Sequence, residues 1–331
     1  SRCQREGRGF DPLCPLQIIV IKSKLITNLF QKFLIKKDIR KFRKSKLYYI
    51  IFRIIRSFLS KDIIINIHKF KIFGSVKKNH TSYFLLKKCE FGDDHEIETL
   101  SRLSKKNKIF FLDCGCNYGF YSFHVASLSQ NNYVISIEAS KRTSEFFLKN
   151  KELNNNLKNI YFFNRAVSDI NEKDILFNQS INDWESSVEH NDFKLNKTDN
   201  IKTCTIDSLL NSYELKDYLL IFKLDIEGHE MRAIAGALGI IEKFSPIIII
   251  EFSKFIFNKK ENIDYINFFL NKFNYQIYDT KKKIVELKEI LLNIDNLKKR
   301  YKTVGNYYLI KKSSYQEELF KKNEWIIRKK M

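Results

Sequence analysis

Residues 111–122, FLDCGCNYGFYS, close an apolar run with an acid, turn on two glycines and pass into helical spacing. Ile109–Asp113 is apolar throughout until Asp113, as a strand buried on both faces would be. Gly115 and Gly119 allow the backbone to turn sharply and to approach a ligand closely. Phe120–Leu128 then reads as a helix whose N-terminus points at that same place. Strand, glycine turn and helix open a βαβ unit.

The alternation continues downstream. Tyr133–Glu138 is a strand ending in Glu138, Lys141–Leu153 a helix, Ile160–Asn164 a strand, and Leu219–Asp225 a strand ending in Asp225. Glu230–Lys243 is one helix, Pro246–Phe252 a strand and Ile263–Phe273 a helix, with Tyr275–Tyr278 and Val304–Ile310 as late strands. Strands apolar on both faces, alternating with helices, predict an α/β fold whose parallel sheet is covered on both sides. Its ligand is expected beyond the carboxyl ends of the strands, near the switch point.

Upstream, a short helix is expected over Glu96–Leu103. Asp62–Val76 alternates apolar and polar residues, as a short strand or hairpin does. From Gln17 to about Leu59, apolar and basic residues interleave as in one or two basic amphipathic helices. Residues 1–16 hold two of the three prolines and lack an initiator Met, and are expected to be upstream or non-native sequence. The expected organisation is therefore residues 1–16, a basic helical and strand extension over 17–89, the α/β domain over 90–312, and a basic C-terminal helix over 313–331.

The charge of +21 is concentrated at the front: residues 1–60 carry 15 Lys/Arg against 3 Asp/Glu. Such a region suits an acidic surface, nucleic acid or anionic lipid, or simply a solvated basic face. Leu47–Leu59 (LYYIIFRIIRSFL) is too short to span a bilayer and holds Arg53 and Arg56. A helix there can pack its apolar stripe on the domain or lay it in an anionic membrane interface, which makes residues 17–59 the candidate membrane contact. Six cysteines without paired zinc spacing indicate neither a disulfide framework nor a zinc site. A cytoplasmic protein, peripheral at the inner membrane face if residues 17–59 bind lipid, fits best.

The chemistry lies at the strand ends. The loop after Asp113 lacks the third glycine of a dinucleotide loop and puts an acid where a pyrophosphate would be repelled. A cationic sulfonium with an amino-acid moiety suits Asp113 better, and Glu138 can bind ribose hydroxyls. Asp225, Glu227 and His229 leave the fourth strand where an acceptor must sit and are the candidates for positioning a hydroxyl and taking its proton. His229 would accept it as a neutral imidazole, Asp225 as a carboxylate, and Glu230 is expected to cap the next helix. No metal is predicted, although Asp225, Glu227 and Glu251 are the oxygen ligands that Mg²⁺ prefers. Ser186 and Ser187, after Trp184, lie in a loop that could close over cofactor or acceptor.

A series of motifs then appears in order: D-x-G-x-N-x-G-x-x-S (Asp113–Ser122), SIE (Ser136–Glu138), RAVSD (Arg165–Asp169), ESSV (Glu185–Val188), TIDSL (Thr205–Leu209), KLDIEGHE (Lys223–Glu230) and PIIIIE (Pro246–Glu251). Over roughly Glu90 to Ile310 the chain resembles the FkbM-type methyltransferases, departing at Cys116 where that family usually has Ala. The resemblance implies a Rossmann-like methyltransferase sheet of seven mostly parallel strands, the last antiparallel. It implies S-adenosylmethionine contacts at Asp113, Gly115, Asn117, Gly119 and Ser122, the ribose at Glu138 and the adenine near Ala166 and Val167. It also implies O-methylation of a sugar, glycan or small-molecule hydroxyl.

Three other readings compete. Enzymes that methylate base amino groups usually carry an Asn/Asp-Pro-Pro-aromatic tetrapeptide after the fourth strand, to receive a flipped base. Here that place reads DIEG, which argues against nucleic acid as the acceptor. A non-catalytic module binding lipid or protein through its basic front need not keep the cofactor motifs. A dehydrogenase would bind NAD instead.

Overall fold

The computed structural model describes residues 17–20, 62–67, 69–75, 93–180, 195–296 and 303–322. Strands β1 (Gln17–Val20), β2 (Asp62–Ile67) and β3 (Phe70–Ser75) form an antiparallel sheet in that order. The expected helical character therefore fails at Gln17–Val20. Ile18, Ile19 and Val20 are β-branched and favour a strand, and they pair with Ile65, Ile64 and Ile63. The expected amphipathic helix at Leu47–Leu59 and the serines Ser186 and Ser187 lie outside the described residues.

The α/β body begins with α1 (Asp94–Ser104), β4 (Ile109–Cys114), α2 (Phe120–Leu128), β5 (Tyr133–Ile137), α3 (Lys141–Leu153) and β6 (Ile160–Phe163). All six residues of β4 are buried, as in a strand covered on both faces. Helix α3 starts where the Ser140 hydroxyl accepts from the Thr143 amide. A small second sheet follows, made of β7 (Ala166–Val167), β8 (Asp174–Ser180) and β9 (Leu195–Cys204) in the order β7-β9-β8. Strands β8 and β9 are too polar to stand out by periodicity, and β7 is only two residues long, so the sequence pattern does not mark this sheet.

Helix α4 (Ile206–Leu210) leads to β10 (Leu219–Leu224), again buried throughout. The single helix expected over Glu230–Lys243 is instead two, α5 (Glu230–Ala235) and α6 (Leu238–Phe244). A Cβ at Gly236 would lie 2.1 Å from the Ser168 carbonyl oxygen, so the chain passes there with no side chain. The Asp207 carboxylate then accepts from the Gly239 and Ile240 amides, at 2.9 and 2.8 Å, and starts α6 afresh.

Strand β11 (Ile247–Ser253), helices α7 (Lys254–Phe257) and α8 (Lys260–Lys272), β12 (Tyr275–Tyr278), β13 (Ile284–Val285), α9 (Leu287–Asp295), β14 (Thr303–Lys311) and α10 (Tyr315–Lys321) complete the described chain. The main sheet runs β13-β12-β14-β11-β10-β4-β5-β6. Strands β6, β5, β4, β10 and β11 run parallel to one another, and β14 runs antiparallel to β11 and to β12. The seven expected strands and the reversed last one are present, with the two-residue β13 added at the edge. No helix among the described residues is long and apolar enough to cross a membrane.

Strand parity divides the core. Ile109, Phe111, Ile221 and Ile249 face α1 and α2, together with Ile65, Ile67, Phe70 and Ile72 from the β2–β3 hairpin. Phe110, Leu112, Leu220, Phe222, Ile248 and Ile250 face the α5, α6 and α8 side. Two buried asparagines of α3 and its C-cap fasten the hairpin. The Asn150 Oδ1 accepts from the Phe73 amide at 2.5 Å while its Nδ2 donates to the Tyr118 carbonyl at 2.9 Å. Asn154 exchanges two bonds of 2.7 Å with the backbone of Lys71. Replacing Asn150 with Ala leaves a backbone donor and a backbone acceptor without partners, so urea denaturation should show a loss of about 1–3 kcal/mol.

Candidate active site

Progress along the sheet reverses between β4 and β10, which opens a crevice at their carboxyl ends. Register decides which side chains share it. Asp113 pairs with Lys223, and Lys223 with Ile249. Asp113, Lys223 and, two residues further along their strands, Asp225 and Glu251 therefore stand on one face.

Asp113 is 1 % exposed, and its Oδ2 accepts from the Ser122 hydroxyl at 2.6 Å. Ser122 also lies 2.7 Å from the Ser136 hydroxyl and is fully buried, so it supports Asp113 from behind. Burial pushes the Asp113 carboxyl up, while the Lys223 ammonium and the Ser122 hydroxyl pull it down. Its Oδ1 has no hydrogen-bond partner among the described residues.

The loop after Asp113 is left-handed at Gly115, Asn117 and Gly119, with φ of 77°, 49° and 86°. At Gly115 glycine is required twice over, because a Cβ would also fall 2.0 Å from the Asp225 carbonyl oxygen. The Gly115 and Cys116 amides donate to the Ile137 carbonyl and pin the loop to the end of β5. There Glu138 accepts from the Asn117 amide through Oε2 and from the Ser140 amide through Oε1, at 3.0 and 2.9 Å. Burial pushes the Glu138 carboxyl up to about 7 in spite of these two donors. Each of its oxygens keeps a lone pair for a further donor.

Lys223 is 3 % exposed, and its Nζ donates to Asp225 Oδ2 at 2.6 Å and stands 4.7 Å from the centre of the Tyr121 ring. Burial alone would lower its pKa, but Asp225 and Asp113 more than offset this and hold it above the usual lysine range. The Asp225 side chain is 34 % accessible and the Lys223 side chain 4 %. One carboxylate oxygen is thus anchored from below, and the group reaches the crevice from above.

The turn 225–228 is held by Glu230, whose carboxylate accepts from the Ile226 and Gly228 amides at 2.9 and 3.0 Å. Burial raises Glu230 to about 7. Glu230, expected to cap the next helix, instead clasps the turn ahead of it, and the N-cap position of that helix, His229, has no side-chain capping bond. Oxygens of Asp225, Glu227 and Glu251 lie within 4.8 Å of one another and could hold a cation.

His229 stands apart from this group. It is buried, and its Nε2 lies 3.1 Å from the Ser168 hydroxyl, which donates to Asp169, itself paired with Arg232 at 2.9 Å. Ala166 and Val167 form β7 and turn their side chains into buried clusters.

Lys223 was missed by reasoning from sequence. Its signal was present, since it is the only charge inside the apolar strand LLIFKL.

The model of the methyltransferase FkbM domain matches residues 113–277. Among solved structures, a methyltransferase FkbM from Methylobacillus flagellatus is 17 % identical with a TM-score of 0.39, over 61 % of this chain and 43 % of that one. This chain thus spans less than half of that protein. TYW2 of P. horikoshii is 12 % identical with a TM-score of 0.38, over 76 % of this chain and 72 % of that one. A SAM-dependent O-methyltransferase from Thermotoga maritima is 6 % identical with a TM-score of 0.33, over 65 % and 64 %. No curated protein matches the chain. Through residues 113–277, which span the acid–glycine loop and the anchored Asp225, the chain belongs to the FkbM methyltransferase family.

Proposed function

We propose that the protein transfers a methyl group from S-adenosylmethionine to a hydroxyl oxygen of a sugar, glycan or small molecule. The observation that carries this reading is Asp225, a carboxylate anchored by a buried lysine and partly accessible at the crevice mouth, beside the acid–glycine loop.

The residues fit the cofactor. Asp113 has spare acceptor capacity and a negative charge for the amino-acid end. The glycine loop admits close approach, and the remaining lone pairs of Glu138 suit ribose hydroxyls. Bound S-adenosylmethionine supplies a methyl carbon already activated by its sulfonium. What remains for the protein is to align the acceptor oxygen and take its proton. Asp225 does both, because Lys223 fixes its Oδ2 and so orients the carboxylate.

Calorimetry should show that Asp113→Ala and Glu138→Ala each weaken S-adenosylmethionine binding by about 1.5–3 kcal/mol. Wild-type affinity in both variants would remove the site. Binding should also depend on pH with a definite sign. Ribose hydroxyls donate to the ionised Glu138, whose pKa stands at about 7. Affinity is therefore full above that value and is lost as pH falls through it, by at most about tenfold per unit. Glu138→Gln should flatten the profile.

Transfer of labelled methyl to sugars, nucleotide-sugars or lipid-linked glycans, with none to RNA, tests the acceptor class. The three carboxylates also favour a second reading, in which Mg²⁺ holds the acceptor oxygen. Activity abolished by EDTA and restored by Mg²⁺ would select it.

A further inference from the structure

At the opposite, amino end of the parallel strands lies a second feature that the methyl-transfer reading does not use. Phe110 of β4, Tyr133 of β5 and Tyr161 of β6 stack across three neighbouring strands. The centroid spacings are 4.9 and 4.6 Å and the interplanar angles 12° and 9°. Tyr213 and Tyr218 meet the Phe110 ring edge-on, at 5.6 and 5.7 Å, and fix the inner end of the stack.

The outer end is open. Strand β6 is the last of the main sheet, so no further strand of that sheet covers Tyr161. One face of its ring lies on Tyr133, the residue is 42 % exposed, and among the described residues no ring stacks on the other face. A stack that is buried at Phe110, half-buried at Tyr133 and exposed at Tyr161 ends in a platform for one more flat π-system at the same spacing.

The surroundings narrow the ligand. Tyr133, Tyr161 and Tyr218 line a pocket of about 340 Å³ together with Lys108, Lys158, Gln130 and Asn131 and no carboxylate. Two exposed ammonium groups and no acid select an anion. The amide side chains offer donors and acceptors at once, as the edge of a heterocyclic base requires. A neutral sugar would leave the lysines unused, and a plain hydrocarbon ring would leave both lysines and amides unused.

We infer that this pocket binds a nucleotide, with the base stacked on Tyr161 and the phosphate at Lys158 and Lys108. The site is a strand's length, about 17–20 Å, from the crevice, and its existence does not rest on the methyl-transfer reading. The nucleotide can be free or one residue of a single strand.

The test is calorimetric titration of the full chain with uridine monophosphate and, separately, with octauridylate. Saturating S-adenosylhomocysteine is present to block the crevice. Uridine monophosphate should bind with a Kd on the order of 1 mM or tighter. Tyr161→Leu, which keeps an apolar side chain but removes the ring, should weaken it at least about fivefold. Lys158→Gln, an exposed substitution that does not threaten folding, should weaken it and reduce its salt dependence.

Equal or tighter binding of the monophosphate identifies a free nucleotide. Tighter octauridylate binding that still depends on Tyr161 identifies a strand. The inference is overturned if neither ligand binds, or if both bind Tyr161→Leu and Lys158→Gln as well as wild type. It is also overturned if neutral maltotriose binds in a Tyr161-dependent way in place of the nucleotide. Failure of S-adenosylhomocysteine to bind would count against the methyl-transfer reading alone.

Discussion

Asp225→Asn should lower turnover by about 10²–10⁴-fold while leaving S-adenosylmethionine affinity close to wild type. The replacement keeps the volume and can still accept from Lys223, which lies 2.6 Å from Asp225 Oδ2. What it loses is the ability to take a proton. Single-turnover transfer of labelled methyl, with calorimetry of the cofactor on the same preparation, separates the two quantities. His229→Ala should change turnover only a few-fold, because its ring is engaged with Ser168. The opposite pattern, activity surviving in Asp225→Asn and abolished in His229→Ala, would exchange the roles.

Lys223→Met should cost about 3 kcal/mol of stability, the low end of the range for removing one partner of a buried ion pair. The stem is replaced in kind, so packing is conserved and the charge is what disappears. Asp113, at 1 % exposure, has no water to turn to. Asp225, at 34 %, can rotate outward, which places the loss at the lower end of that range.

The sign of the pH dependence follows from the partners. The ammonium stabilises the ionised form of Asp113, whose carboxyl burial holds above its usual range, so the gap between wild type and variant is full where Asp113 is ionised. It should close as pH falls and Asp113 is protonated. Urea denaturation of both proteins from pH 8 to pH 4 measures this. A gap of constant size would mean that lost packing, not lost charge, is responsible.

The elements most legible in the sequence were those whose signal is local. Phe120–Leu128 and Lys141–Leu153 stand where helical spacing placed them. β4 and β10 are buried along their whole length, as continuous apolar runs require. Legibility failed where a remote contact overrides local preference. Glu230–Lys243 has helical spacing throughout, yet it breaks at Gly236, whose carbonyl accepts from the Asp207 amide while the Asp207 carboxylate takes the Gly239 and Ile240 amides. Gln17–Val20 belongs to a basic, helix-like stretch and nevertheless pairs with β2. β8 and β9 carry so many polar residues that period-2 alternation does not mark them.

The same division runs through the candidate site. Asp113, the glycine loop and Glu138 could be read from the chain alone, because a strand end, a turn and a helix start are contiguous in sequence and impose residue types on one another. The chain alone thus determined an α/β sheet with its acids at the carboxyl edge.

Which acid meets which base was decided only by the tertiary structure. Cross-strand register sets Asp113 beside Lys223 and stations Lys223 under Asp225. The turn held by Glu230 leads His229 toward Ser168, away from the carboxylates that precede it by only a few residues. Three aromatic rings separated by dozens of residues become one stack because β4, β5 and β6 are neighbours. Periodicity reports which face of an element is buried. It carries no information on the partner across the sheet, which depends on strand order and register, and these are properties of the whole folded chain.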